Sequence, residues 1–152
     1  MKTRKTTKLI YRKLAIPFVT FRLADGTEGT ALVDTGSESS VIDKAFVKAH
    51  KKQFQVEITD KKIEQVGFVG KTSIHIIKLA APVFFKTYHG RKWFRVEVKD
   101  AMLYDLSHIN QNIAEQEKIE NAVQAIFGSD LFKALQAEIN YQNNTLTVNS
   151  EE

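Results

Sequence analysis

The stretch that decides the fold is Ala31-Leu32-Val33-Asp34-Thr35-Gly36-Ser37-Glu38-Ser39-Ser40-Val41-Ile42. An apolar run ends in a single carboxylate at Asp34, and a turn of small residues follows before apolar residues resume. The apolar run predicts a short strand, which places Asp34 where that strand ends inside the protein. Burying a carboxylate costs free energy unless hydrogen bonds or an opposite charge compensate it. Thr35, Gly36 and Ser37 supply two hydroxyls and a backbone that can approach closely, so the turn is typical of a site that holds a carboxylate.

A second informative stretch lies near the C terminus, at Ile126-Phe127-Gly128-Ser129-Asp130-Leu131-Phe132. Gly128 would let its strand pass close behind the Asp34 turn, because glycine has no Cβ. Asp130 precedes an apolar pair and suits the cap of a short helix or a hydrogen bond within the loop. Since Asp130 is also acidic, a role as a second catalytic acid is the alternative interpretation.

A third stretch, Gly67-Phe68-Val69-Gly70, lies between two segments in which apolar and polar residues alternate. The pattern predicts a hairpin with glycines at its tip. Apolar side chains at an exposed tip are unusual in water and are typical of a surface that contacts another molecule. An ordinary hairpin with a bulge is the alternative.

These three stretches together resemble the retropepsin-like aspartic proteases. Asp34-Thr35-Gly36-Ser37 resembles the catalytic loop of that family, the glycine hairpin resembles its flap, and the stretch around Gly128 resembles its second signature. The resemblance covers residues 14–148 and implies a mainly β, single-lobe acid protease barrel with two or three short helices. There are departures from the family pattern: Phe127 replaces a commoner aliphatic residue, Asn140 replaces an aspartate, and residues 102–124 form a longer connection than usual.

The resemblance implies an aspartic endopeptidase that acts on a peptide or protein substrate. One Asp34 per chain cannot act as general acid and general base together, so a two-fold homodimer would have to bring two copies of Asp34 into contact. Thr35 would link the two loops, and Gly36 would place backbone amides near the carboxylates. Substrate would be contacted by a further set of residues, namely Ser37, Gly67, Phe68, Val69 and Gly70.

The resemblance also implies a supporting role for Ile126, Phe127 and Gly128 behind the catalytic loop. We further expect the Ser37 hydroxyl to donate a hydrogen bond to ionised Asp34. Such a bond stabilises the charged form of the carboxyl group and would move the active pH range downward.

The 152 residues, of which 43% are hydrophobic, suffice for one domain with a substantial core. We predict a basic N-terminal extension at residues 1–13, the domain at 14–148 and a C-terminal tail at 149–152. The extension is expected to be solvated, and contact with nucleic acid or another acidic surface is the alternative. Its basic residues, all preceding the first acidic one, are Lys2, Arg4, Lys5, Lys8, Arg12 and Lys13.

The absence of cysteine excludes disulfides and thiolate chemistry, and the four histidines have no spacing typical of metal ligands. We therefore predict no metal and no cofactor. No apolar run has membrane-spanning length, and without a signal peptide a cytoplasmic location is expected. Two other functions remain open. One is a catalytically silent dimeric module of the same fold that binds peptides. The other, which the sequence favours less, is a small basic domain that binds nucleic acid in a salt-dependent manner.

Local patterns predict strands at residues 14–23 and 28–33 around an Asp-Gly turn, and a helix capped by Asp43 that ends at His50. Further strands are predicted at 56–58 and 61–66 around a turn at 59–60, and then at 71–79, 80–86 and 92–98. An amphipathic helix with Ser107 as its cap is expected within 102–124. A short helix after Asp130 and a hairpin that turns at 143–144 complete the chain.

Overall fold

The computed structural model describes residues 2–11, 16–67, 70–117 and 123–151. In this part of the chain there are ten strands and three α-helices. The strands are β1 (Lys2–Lys8), β2 (Phe18–Leu23), β3 (Glu28–Val33), β4 (Val41–Asp43), β5 (Gln55–Gly67), β6 (Gly70–Lys86), β7 (Trp93–Tyr104), β8 (Ala125–Phe127), β9 (Glu138–Asn140) and β10 (Thr145–Glu151). The helices are α1 (Lys44–Ala49), α2 (Ser107–Glu117) and α3 (Ser129–Ala134), and Lys51–Gln53 forms a 3₁₀ turn.

Six of the described strands close into a barrel in the order β2–β3–β8–β4–β7–β6, and β6 pairs back onto β2. Strand β5 lies outside this ring, paired with β6. The β3–β8 pair is parallel, with Val33 opposite Phe127 at the C-terminal ends of both strands. Because parallel strands end at the same edge of a sheet, the turns that follow Val33 and Phe127 lie side by side. The predicted mainly β barrel with three short helices is confirmed.

Aromatic side chains fill much of the barrel interior. The ring centroid of Phe127 lies 5.7 Å from that of Phe21 and 6.0 Å from that of Phe85. All three side chains are buried, and pairs of this geometry each add about 0.5–1.5 kcal/mol to the stability that burial alone provides. Phe127 is therefore accommodated, in place of an aliphatic residue, because two further phenylalanines pack around it.

The chain ends form a separate three-stranded sheet in the order β1–β10–β9. β1 pairs antiparallel with β10 along all seven of its residues. Thr7 is buried, and the Arg4 guanidinium donates to the Gln136 carbonyl at 2.6 Å and lies 3.5 Å from the Glu138 carboxylate. The expectation of a solvated N-terminal segment is therefore wrong for β1. Arg4 and Lys8 are exposed on one face of this strand, whereas Thr7 is buried on the other face.

Two predicted turns are confirmed. Gly26 adopts a positive φ of 92° between β2 and β3, which is the conformation that glycine favours in such a turn. In the last hairpin, Asn144 has a φ of 55° and the Asn140 side-chain oxygen accepts the backbone N–H of Asn143 at 3.0 Å. Asn140, which replaces the usual aspartate, thus performs a structural role in the turn.

The middle strands are longer than the sequence predicts. β5 runs through the expected turn at residues 59–60, and a register shift between Ile58 and Lys62 absorbs the irregularity as a bulge. β6 likewise continues through residues 79–81 with a register shift, and β7 extends to Tyr104. β2 begins only at Phe18, after Pro17, and residues 14–15 of the predicted strand lie outside the described part.

Three predicted helix caps differ from the structure. Asp43 lies at the N-cap of α1, but its Oδ1 accepts the backbone N–H of Leu106 instead of one from its own helix. Ser107 is the first residue of α2, and Asp105 Oδ1 accepts its N–H at 2.9 Å. This hydrogen bond lowers the pKa of Asp105. Gly128, not Asp130, is the N-cap of α3. The Asp43 and Asp130 carboxylates bond residues that are distant in sequence, whereas Asp105 bonds the N–H of Ser107 two residues further along.

Candidate active site

Asp34 lies immediately after β3, where its backbone N–H donates to the Phe127 carbonyl at 3.0 Å. This bond extends the parallel pairing of β3 and β8 by one residue. The Asp34 side chain is half-buried, and Thr35 and Gly36 are exposed. The sequence predicts a buried carboxylate, but in the single chain the Asp34 carboxylate is only half-buried. The reason is that the turn lies at the surface, at the end of the buried strand.

The turn itself holds the carboxylate through the backbone. The N–H of Gly36 donates to Asp34 Oδ1 at 3.0 Å, and the N–H of Ser37 donates to the Asp34 carbonyl at 3.1 Å. The Ser37 hydroxyl donates to the Ser39 carbonyl at 2.9 Å. The prediction that this hydroxyl bonds the Asp34 carboxylate is therefore wrong. The expected downward shift of the active pH range depended on that hydrogen bond, so it is no longer expected.

Gly128 packs directly behind this turn, as predicted. A Cβ placed at Gly128 would lie 2.6 Å from the Ser37 carbonyl oxygen and 3.0 Å from that of Ser39. The next residue, Ser129, donates its N–H to the same Ser37 carbonyl at 2.7 Å. The two segments are therefore in contact through their backbones, and any side chain at position 128 would separate them.

A buried hydroxyl that sequence reasoning missed completes the support. The Ser40 hydroxyl accepts the Gly128 N–H at 2.9 Å and donates to Asp130 Oδ1 at 2.7 Å. The Ser40 N–H donates to Asp130 Oδ2 at 2.9 Å. Both carboxylate oxygens of Asp130 thus accept hydrogen bonds from Ser40, which favours the structural interpretation of Asp130 over the catalytic one. Little in the sequence indicated this role. Ser40 is one of three serines in the turn, and only the apolar residues that follow it distinguish it from Ser37 and Ser39.

Replacing Ser40 with alanine is expected to destabilise the protein by about 1–3 kcal/mol, because the buried Gly128 N–H and the Asp130 carboxylate each lose a partner. The free energy of unfolding, measured in urea, checks this. Ser37→Ala is the matched control, since it removes a hydroxyl from the same turn that is only half-buried and bonds one carbonyl. If the two variants lower the free energy of unfolding by equal amounts, the supporting role of Ser40 is contradicted.

The predicted support residues meet the turn through strand pairing. Ile126 lies opposite Leu32 in the parallel β3–β8 pair and opposite Val41 in the antiparallel β4–β8 pair. β8 is therefore inserted between the strands that enter and leave the Asp34 turn. This arrangement fixes both ends of the turn on one strand.

The glycine hairpin is described up to its tip. Gly67, the last residue of β5, is paired with Gly70, the first residue of β6, and Phe68 and Val69 lie outside the described residues. The pairing of β6 with β7 begins at Lys78, so residues 70–77 pair with β5 and extend beyond the barrel as a two-stranded ribbon. The predicted hairpin is therefore present, and its contact with a substrate stays a prediction.

Two features of the described residues concern metal binding and membrane insertion. No group of three or more His, Cys, Asp or Glu side chains there is placed to hold a metal ion. Within the same part of the chain, none of the helices combines the length and apolar character needed to cross a bilayer.

The architecture is similar to that of a protease-like domain of known structure. The retroviral protease-like domain of Ddi1 from Leishmania major matches with a TM-score of 0.51 and 15% sequence identity, covering 90% of this chain and 92% of that chain. The chain has a retropepsin-like fold. A retropepsin-like aspartic protease from Rickettsia conorii matches with a TM-score of 0.46 and 11% identity, covering 100% of this chain and 97% of that one. No family model and no curated protein matches the sequence.

This similarity is one of fold, since sequence identity is low. It confirms the fold that the three sequence stretches implied. Within the retropepsin-like fold, the structure brings Gly128 against the turn formed by Asp34, Thr35, Gly36 and Ser37, although Gly128 is distant from that turn in sequence.

Proposed function

We propose that this chain is an aspartic endopeptidase that works as a homodimer. The observation that carries the proposal is the Asp34 turn. Its carboxylate accepts the Gly36 N–H, it faces partly to solvent, and the turn is fixed from behind by Gly128 and Ser40. A rigidly held but accessible carboxylate is what proton transfer to and from a water molecule requires.

A single Asp34 is not enough for this chemistry. One carboxyl group cannot accept a proton from water and donate a proton to the substrate in the same step. Two carboxylates in contact cannot both stay ionised, so they hold one proton between them and titrate as a pair. The ionised Asp34 would take a proton from water, which attacks the peptide carbonyl. The protonated Asp34 would polarise that carbonyl and then assist departure of the nitrogen.

The exposed face of the turn suits this pairing. Thr35 and Gly36 are exposed in the single chain, so two copies can approach each other through these residues. A two-fold axis beside Asp34 would place the same residues of both chains opposite one another, as closed dimers require. Thr35 would then bond across the axis, and Gly36 would present its backbone to the substrate.

The ribbon of β5 and β6 would cover the substrate. It extends beyond the barrel as far as the Gly67–Gly70 pair, and an extended peptide could add to its backbone as a further strand. Closure of such a hairpin excludes water from the reacting groups. Together with Ser37, the four tip residues would form the substrate-contacting side of the site: Gly67, Phe68, Val69 and Gly70.

The proposal is tested by incubating the protein with a mixture of unstructured peptides between about pH 3.5 and 7.5 over a wide range of protein concentration. We expect cleavage between apolar residues, with a specific activity that rises with protein concentration as the dimer forms. If specific activity does not fall on dilution to concentrations at which the protein is monomeric, the proposal that two chains share one site is contradicted. A folded protein that binds peptides but cleaves none would indicate the silent binding module instead.

A further inference from the structure

A row of charged and aromatic side chains lies on the outer face of the barrel. Arg22 of β2 is paired with Phe84 of β6, and Phe84 is paired in turn with Arg95 of β7. Because side chains alternate between the two faces of a strand, these three residues point away from the core that holds their chain neighbours. Those core neighbours are Phe21, Leu23, Val83, Phe85, Phe94 and Val96. Arg22, Phe84 and Arg95 therefore form an outer row across three adjacent strands.

The Arg22 guanidinium is held against an indole ring. Its Cζ atom lies 4.7 Å from the centre of the Trp93 ring, which is a cation–π contact. Arg22 is half-buried, and its Nε is buried without a hydrogen-bond partner. The orientation of the planar group is thus fixed, and its two terminal nitrogens are the donors that a ligand could reach.

No carboxylate neutralises Arg22 within the described parts of the chain. Glu28 lies opposite Arg22 in the β2–β3 pair and is exposed, yet no ion pair joins the two side chains. Arg95, by contrast, donates from its Nε to Glu97 Oε1 at 3.1 Å. A guanidinium that has lost part of its hydration and has no opposite charge beside it is a favourable place for an anion.

The surroundings of the outer row favour a short acidic peptide over a nucleic acid. Glu28 lies beside Arg22 at one end of the row, and Glu97 is bonded to Arg95 at the other end. A long polyanion would therefore meet negative charge at both ends. Phe84 is half-buried and lies about one strand spacing, roughly 4.8 Å, from Arg22, so it offers apolar surface next to the cation.

We propose that Arg22, Trp93 and Phe84 form a docking site for an acidic peptide segment of a protein partner. One carboxylate of the segment accepts hydrogen bonds from both terminal nitrogens of Arg22, whose plane is fixed by Trp93. An apolar side chain within two residues of that carboxylate covers Phe84, because residues two apart share one face of an extended chain.

This docking site is separate from the Asp34 turn. Arg22 lies opposite Glu28, the first residue of β3, whereas Asp34 follows the last residue of that strand. The six residue steps between Glu28 and Asp34, at about 3.3 Å each, span about 20 Å. The inference thus goes beyond the proposed function and does not depend on it.

Tryptophan fluorescence tests the docking site directly, because Trp93 is the single tryptophan of the chain. A peptide of sequence Gly-Glu-Leu-Glu-Gly is titrated into the unchanged chain at low salt. The same peptide with Gln in place of both Glu residues is the control ligand. We expect a saturable change in Trp93 emission with the Glu peptide and about tenfold weaker binding of the Gln peptide.

Two matched variants separate a built site from general charge attraction. Arg22→Gln is expected to weaken binding of the Glu peptide by about tenfold. Arg91→Gln removes the same charge from an exposed side chain that lies two residues from Trp93 but outside the outer row, and should change affinity by less than about twofold. Equal weakening in both variants would overturn the proposal. Where Arg22→Gln does not fold, Arg22→Lys replaces it, and binding as tight as that of the unchanged chain would overturn the proposal, since lysine lacks the planar fork.

The remaining outcomes are equally decisive. No change in Trp93 emission with up to about 1 mM Glu peptide, in a folded protein, would overturn the proposal. Tighter binding of a short oligothymidylate than of the Glu peptide, lost in Arg22→Gln, would overturn the peptide as occupant. Asp34→Asn should leave the affinity unchanged, and a loss of binding in that variant would place the peptide at the Asp34 turn instead. A failure to cleave peptides would overturn the proposed function and leave this docking site standing.

Discussion

Replacing Asp34 with asparagine is expected to reduce peptide cleavage by about a thousandfold or more. Asparagine has nearly the same shape and can still accept the Gly36 N–H, so the turn should keep its geometry. It cannot take a proton from water or share one with a second carboxylate, so both the general base and the general acid are lost. The measurement is kcat/KM on a single peptide chosen from the cleaved mixture, with the unfolding midpoint measured alongside.

Asp25→Asn is the matched control for this experiment. Asp25 is followed directly by Gly26, lies in the turn between β2 and β3, and accepts the backbone N–H of Thr27 at 2.9 Å. That hydrogen bond lowers the pKa of Asp25. The control therefore removes a comparable carboxylate from the opposite end of the hairpin, and cleavage should stay unchanged. A similar loss in both variants would show that the effect arises from folding.

Mixing the variants extends the same prediction to the dimer. A ninefold excess of Asp34→Asn chains should lower wild-type activity by about tenfold, because most wild-type chains would then pair with a partner that lacks the carboxylate. The same excess of Asp25→Asn chains should add activity instead. Activity that is insensitive to added Asp34→Asn protein, after time for exchange, would indicate that each chain acts alone.

Replacing Gly128 with alanine is expected to destabilise the protein by about 3 kcal/mol. The backbone at Gly128 has φ −107° and ψ −174°, which any residue can adopt, so the penalty is steric. The added Cβ would lie 2.6 Å from the Ser37 carbonyl oxygen, a backbone atom that already accepts the Ser129 N–H. The turn and β8 would have to separate, which weakens the support of Asp34 as well. Urea unfolding gives the free energy.

Gly26→Ala is the control for the glycine experiment. At Gly26 an added Cβ meets nothing within 4 Å, but the φ of 92° is unfavourable for alanine. The expected cost is about 1 kcal/mol, from backbone strain alone. If Gly128→Ala lowers the free energy of unfolding no more than Gly26→Ala does, the turn can move to accommodate the added Cβ. That result would refute the rigid support of Asp34.

Local sequence was sufficient for much of the fold and for the position of the candidate site. The apolar run before Asp34 identified β3, the Asp-Gly pair identified its hairpin, and Gly128 was assigned its close approach correctly. These features depend on residues within a few positions of one another or on the absence of a Cβ. The helix content and the mainly β character follow from the same short-range patterns.

Two of the errors concern contacts between residues that are distant in sequence. The β1 strand was expected to be solvated because its charges suggested exposure, yet it pairs along its whole length with β10 at the other end of the chain. The turn expected at residues 59–60 became a bulge because pairing with β6 continues through it. In both cases a partner strand supplied hydrogen bonds that no local pattern reports.

The sequence by itself determined that one carboxylate, Asp34, follows a buried strand in a glycine turn, since composition and spacing carry that information. Only the tertiary structure decided how the carboxylate is held. The Ser37 hydroxyl bonds Ser39 and not Asp34, and Ser40 joins the turn to Asp130, which lies 90 residues further along the chain. A small hydroxyl side chain can bond many partners, so its choice depends on which backbone groups the barrel brings within reach.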